Sequence, residues 1–268
     1  MPSNKEDIMP VLLFASENQE LENDIAHQTA NQLGYKTLNR GSLAEIANRH
    51  SLELPKLEDA LQNTPSILRR MPSKLWHYYI SCVEMEVLDR LLDDNVVCWG
   101  LGAHLYVLVV SHVLKVRLIG GYGQQTDPDI KREKLRKKWS LAAYKREEAD
   151  PKLYDIVINL DQIKPEEAVG TITSTIDYPR FRPMTYSRNN LMDRALAARV
   201  KNALLKTLTD IHVHAQNGTV VVTTTSLKRE KEKKIAAIKE VAGQVEGIGY
   251  LEVHWNVDPV NEAAVSSR

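Results

Sequence analysis

Apolar residues recur along this chain in two rhythms. Short runs rich in Val, Leu and Ile, at 10–15 (PVLLFA), 96–99 (VVCW), 114–119 (LKVRLI) and 154–160 (YDIVINL), have the texture of parallel strands covered on both faces. Between them, apolar positions fall at steps of three and four, the helical period. Leu21, Ile25, Ala26, Thr29 and Leu33 form one such stripe, and Gly34 stands where a left-handed helix end belongs. A second stripe runs through 73–93 by way of Leu75, Tyr79, Cys82, Val83, Val87 and Leu91. Ser42 with Glu45 reads as a capping box, and Pro165 followed by Glu166 and Glu167 reads as a helix start favoured by the dipole. Strands alternating with helices predict an α/β domain, a doubly wound parallel sheet with helices on both faces, over residues 1–176.

The rhythm then breaks. Residues 177–189 (DYPRFRPMTYSRN) replace periodic apolar positions with Pro, Arg and aromatics, which predicts a linker. Residues 190–258 read as a small α+β domain of order αββαβ: a helix over 191–208, strands at 211–215 and 219–225 joined across Asn217-Gly218, a helix over 228–245 and a strand at 250–257. Residues 259–268 read as a flexible tail.

Composition narrows the classes of function. The chain has 268 residues, 43% of them hydrophobic, enough for two cores. Lys plus Arg number 35 and Asp plus Glu 35, so no net field draws a polyanion, and nucleic acid is not an expected partner. Cys82 and Cys98 lie outside any CxxC or Cys/His cluster and read as buried thiols of a reducing compartment. With no leader-like pattern at 1–15, the expected location is the cytoplasm. Residues 96–114 lack Lys, Arg, Asp and Glu, but Gly100, Gly102, His104, Ser111 and His112 interrupt them. They predict strand, turn, helix (103–111) and strand rather than a membrane span.

The first half resembles the cytidylate-kinase-like family of P-loop nucleoside monophosphate kinases, over about residues 10–176. The likeness rests on Leu33-Gly34-Tyr35, on an apolar strand ending Trp99-Gly100-Leu101-Gly102-Ala103 where the family has Gly-Arg-Gly-Ala, on Val116-Arg117-Leu118, and on 154–161 followed by Pro165-Glu166-Glu167-Ala168. The second half looks like a BON domain, through 200–204 (VKNAL), Asn217-Gly218-Thr219-Val220 and Val245-Glu246-Gly247-Ile248, with Thr224 and Thr225 where that family often has glycine. The resemblance implies a non-enzymatic binding module associated with membranes, phospholipid or small ligands.

A phosphate loop uses glycines so that successive backbone N–H groups converge on phosphate, with a basic residue to neutralise it and a hydroxyl to reach magnesium. The corresponding residues here, Ser16, Glu17, Asn18, Gln19 and Glu20, contain no glycine and no base, and Glu22 and Asp24 add further acid. Leu101 also stands where the resemblance implies arginine. Of the family's basic apparatus, Arg117, Arg132 and Arg136 remain, with Asp161 in a supporting role. The ordinary reading of 131–138 is a solvated charged helix, and the functional one is a lid that clamps phosphate.

Other candidates are weaker. Strand alternation puts His212, His214 and His254 on one polar face with Glu252, where neighbouring strands would build a transition-metal site and any other pairing an ordinary sheet face. His104 and His112 flank an apolar run and read as satisfied buried histidines. The expectation is therefore a catalytically inactive, kinase-like sensor or scaffold that binds a small ligand or protein partner, without cofactor, and can form a homo-oligomer. One alternative is an active nucleotide kinase with a non-standard phosphate site, using ATP and magnesium. Another is a peripheral envelope protein in which BON-like contacts dominate.

Overall fold

The apolar run after Pro10 forms β1 (Val11–Ser16), whose first three residues are wholly buried. A computed structural model describes residues 10–121 and 127–257 of the chain. It divides into two units, Met1–Leu191 and Met192–Arg268. The expected flexible tail at 259–268 lies outside the described residues.

In the first unit, β1 is followed by α1 (Gln19–Leu33), β2 (Lys36–Leu38), α2 (Leu43–Arg49), α3 (Leu54–Gln62), α4 (Ser73–Leu91), β3 (Val96–Cys98) and β4 (Val113–Ile119). Then come α5 (Asp127–Tyr144), β5 (Ile156–Asn159) and α6 (Pro165–Ile176). The five strands form an all-parallel sheet in the order β2-β3-β1-β4-β5. The chain moves one way from β1 to β2 through α1 and the other way from β2 to β3 through α2, α3 and α4, so right-handed crossovers place these helices on opposite faces. On one face α1 and α6 close over β1 and β4: Ile25, Ala26, Ala168 and Ile172 pack with Leu12, Phe14, Leu114 and Val116. Helix α1 ends at Gly34, left-handed at φ 68°, whose N–H reaches the carbonyls of Ala30 and Asn31.

Four expectations change here. The helix foreseen over 103–111 is a single 3-10 turn, Ala103–Leu105, because the run is short and its β-branched Val107, Val109 and Val110 lose rotamer freedom in a helix. Ser42 makes no capping bond; Asn39 accepts from Gly41 N–H at 2.8 Å and opens a 3-10 turn that runs into α2. Glu45 pairs instead with Arg49 and Arg90, each at 2.7 Å. The charged helix α5 is anchored rather than free, since Trp139 is fully buried and donates to the Ala60 carbonyl at 2.9 Å. The segment 177–189 is packed on the first unit rather than a linker. Phe181 is buried in its core, Arg180 pairs with Asp155 at 2.8 Å, and Ser187 Oγ lies 2.6 Å from His112 Nδ1.

The second unit takes up within α7 (Thr185–Leu205) and continues with β6 (Ile211–Gln216), β7 (Thr219–Ser226), α8 (Lys231–Ala242) and β8 (Tyr250–Val257). Its sheet runs β6-β7-β8, antiparallel and then parallel. Asn217 (φ 49°) and Gly218 (φ 77°) make the two-residue turn that suits a twisted hairpin. The Asp193 carboxylate accepts from the N–H of Asn217 at 2.9 Å. Val220 and Val222 are buried on one face of β7 while Val221 and Thr223 on the other are not, as alternation requires.

Candidate functional site

The carboxyl ends of the central strands of a parallel sheet are where α/β proteins place ligands. Here those ends are built by the turn after β1, the 3-10 turn after β2, the loop after β3, and Arg117 on β4. The turn is closed by its own side chains. Asn18 Oδ1 accepts from the N–H groups of Glu20 (3.1 Å) and Leu21 (3.2 Å), and Ser16 Oγ accepts from Asn18 N–H at 3.0 Å. Asn18 Nδ2 donates to the Gly121 carbonyl at 3.2 Å. Two of the donors that a phosphate would use at this helix start are therefore already engaged.

The basic residues are engaged as well. Arg117 is buried and donates from Nη2 to Glu17 Oε1 at 2.9 Å. Burial works against its charge, but Tyr154, Glu148 and Glu17 outweigh that and hold its pKa above the ordinary value. Arg136 grips Glu148 with two parallel bonds, Nε to Oε2 at 2.8 Å and Nη2 to Oε1 at 2.5 Å, and its guanidinium lies 4.6 Å from the Trp139 ring centre. Burial opposes ionisation of Glu148, yet Arg136 keeps its carboxyl below the usual range.

A small cavity of about 70 Å³ remains above Ala15. Arg117, Arg132 and Arg136 all line it, as do Ser16, Glu17 and Gln19. Asp161 does not. Its Oδ1 accepts from Gly121 N–H at 2.8 Å, and Gly120 beside it has no room for a Cβ, which would meet Asp161 Oδ2 at 2.5 Å. Leu101 turns into the core and leaves its carbonyl to Tyr106 Oη at 2.7 Å.

Among the residues on this cavity that were not singled out from sequence as site residues are Glu148, Glu22, Arg40 and, read only as a satisfied core histidine, His104. Glu22 is 4% exposed, and burial lifts its carboxyl to a pKa of about 8, so it holds a proton at neutral pH. His104 is 1% exposed and, among the described residues, has no hydrogen-bond partner at either ring nitrogen. Burial lowers its pKa to about 4, and it stays neutral. Arg40 donates from Nε to the Gly100 carbonyl at 3.1 Å. Glu22 lies one turn into α1, behind the turn from Ser16 to Asn18.

Glu22 and Arg40, with Gln19 and Gly100, also border a second cavity of about 330 Å³, which is completed by Asn23, His27, Asn39, Gly41 and Trp99. Trp99 Nε1 donates to Asn23 Oδ1 at 2.5 Å.

The histidines of the second unit do not converge. Strand β7 lies between β6 and β8, so Thr223 separates His212 from His254, and Val221 separates His214 from Glu252. The paired positions therefore stand two strand spacings, about 9.5 Å, apart with a β7 residue between them. His254 instead pairs with Glu252 at 2.6 Å. Among the described residues no group of three or more His, Cys, Asp or Glu is placed to hold a metal ion. Among them, too, no helix is long and apolar enough to cross a membrane.

No protein-family model matches this sequence, and no curated protein does. Among solved structures, the chain is similar to an uncharacterized protein from Eubacterium ventriosum, at 13% identity and a TM-score of 0.44, over 63% of this chain and 98% of that one.

Proposed function

We propose that the first unit is a nucleotide-kinase-like module that does not transfer phosphate from ATP and serves as a ligand-binding sensor or scaffold. The second, BON-like unit supplies a further contact to a small ligand or protein partner. The observation that carries this reading is the bond from Arg117 to Glu17. A phosphoryl-transfer site lives on positive charge aimed at the substrate. Here the central arginine is spent on a carboxylate from the turn that would have to hold the phosphates. Glu148 does the same to Arg136, and Glu22, a further acid, lines the same cavity. The parallel sheet, with strand, turn and helix at its centre, supports a layout like that of P-loop proteins. What has changed is the chemistry of the turn.

The test is a coupled assay of ADP formation across the nucleoside monophosphates with magnesium. The reading predicts no turnover above background, and magnesium-dependent ADP release would overturn it.

A further inference from the structure

Strand β8 closes one side of the second unit's sheet, and among the described residues no strand pairs with its far side. Its register with β7 runs unbroken from Thr219 opposite Tyr250 to Ser226 opposite Val257, so no bulge twists this edge away. Its sequence, YLEVHWNV, has neither the proline nor the lysine that ordinarily guard an edge. Leu251, Val253 and Trp255 are only half-buried, although they share a face with the buried Val220, Val222 and Thr224 of β7. Such an edge is a template for another strand.

The hairpin decides which backbone groups face outwards. A two-residue turn leaves Gln216 and Thr219 as a hydrogen-bonded pair, so the odd-numbered residues of β7 bond to β6 and the even-numbered ones to β8. In the same phase, Tyr250 N–H donates to the Gly218 carbonyl at 3.3 Å. Tyr250, Glu252, His254 and Asn256 therefore bond to β7. The N–H and C=O groups of Leu251, Val253 and Trp255 point out of the sheet.

A second β8 running antiparallel meets those groups, and the register centred on Val253 is self-complementary. It sets Val253 against Val253 and Leu251 against Trp255 as hydrogen-bonded pairs on the apolar face. It sets Glu252 against His254 of the second copy, twice, in the positions between them, where opposed side chains come closest. Glu252 Oε1 already lies 2.6 Å from His254 Nε2 within one chain, so acid and imidazole would alternate around a ring of four. Centring on Glu252 would oppose two carboxylates, and centring on His254 two imidazoles. The other edge, β6, carries His212 and His214 and no acid, so self-pairing there brings no opposite charges together.

We propose that two copies of this chain pair through β8, antiparallel about a two-fold axis at Val253, and join their three-stranded sheets into one. This takes up the reading of the second unit as a contact to a protein partner, rests on that part of it alone, and names the partner as a second copy. An isologous contact of this kind closes on itself. One strand buries less than the roughly 1,600 Å² of a standard interface, so the dimer is a weak one.

Sedimentation equilibrium of the full chain tests this. A monomer–dimer equilibrium in the micromolar range is expected. H254E, on the exposed face, opposes Glu252 with a second acid and should weaken the dimer by about tenfold or more, and the exchange E252H/H254E should restore it to within about threefold. V253P removes an outward N–H without costing a bond to β7 and should abolish the dimer. Thermal melts check that H254E and the exchanged variant fold as the wild type does, so the result does not depend on how V253P folds. A chain that stays monomeric, one that grows into open-ended species, or a dimer indifferent to H254E would overturn the proposal. A monomeric chain without ATP turnover leaves the reading of the first unit standing. ATP turnover overturns that reading whatever the state of association.

Discussion

Arg117 donates to Glu17 at 2.9 Å, joining the middle of β4 to the turn at the end of β1. The arginine side chain is almost wholly buried and the glutamate about a quarter exposed. One side chain of the turn thus occupies the cation that a bound phosphate would need.

Removing that partner should leave a buried cation unmatched. Glu17→Gln is expected to destabilise the protein by about 1–3 kcal/mol, part of which sulfate restores in the variant beyond its effect on the wild type. Thermal melts with and without sulfate check this. Equal sulfate responses in the two proteins would mean that Arg117 is not exposed to anions by the change.

Glu22 sets a pH dependence of the opposite sign to that of an ordinary surface carboxylate. Its pKa is about 8 in the folded chain against 4.5 when unfolded, so between those values the folded state holds a proton that the unfolded state has released. Stability therefore falls as pH rises through that window, by an amount on the order of 5 kcal/mol at most. Glu22→Gln should raise the melting temperature near pH 8 and do little near pH 4.5. His104 acts in the other direction: its pKa of about 4, against 6.5 unfolded, costs stability as pH falls between those values. His104→Leu should reduce the acid-side loss. A variant pair with parallel melting curves at every pH would contradict both assignments.

Two glycines with the same left-handed backbone should respond differently to alanine. At Gly34 (φ 68°) nothing lies within 4 Å of an added Cβ, so only the backbone cost of about 1–2 kcal/mol applies. At Gly120 (φ 75°) the Cβ would meet Asp161 Oδ2 at 2.5 Å and Asn159 Oδ1 at 2.9 Å, and a steric cost adds to it. Chemical denaturation of Gly34→Ala and Gly120→Ala should rank them in that order.

Much of the scaffold was legible in the chain. The run at 10–15 and the stripe from Leu21 to Leu33 with Gly34 placed β1 and α1 within a residue or two, because burial on both faces and a left-handed helix end leave direct marks. The stretch 103–111 was not legible, since apolar content alone does not separate a short helix from a buried irregular segment. The site divides the same way. Arg117 and Arg136 could be named from sequence, but their carboxylate partners lie 100 and 12 residues away and only folding pairs them. Glu22 looked like one of several acids at a helix start. Arg136 of α5 and Glu148 of the loop after it are among the charges around it, and burial makes it a neutral acid in an inner wall.

The turn from Ser16 to Glu22 decides whether the first unit can hold a nucleoside triphosphate. Equilibrium titration of the full chain with MgATP measures that directly. No saturable binding up to about millimolar ATP is predicted, whereas saturation in the micromolar range, worth about 8 kcal/mol, would contradict it.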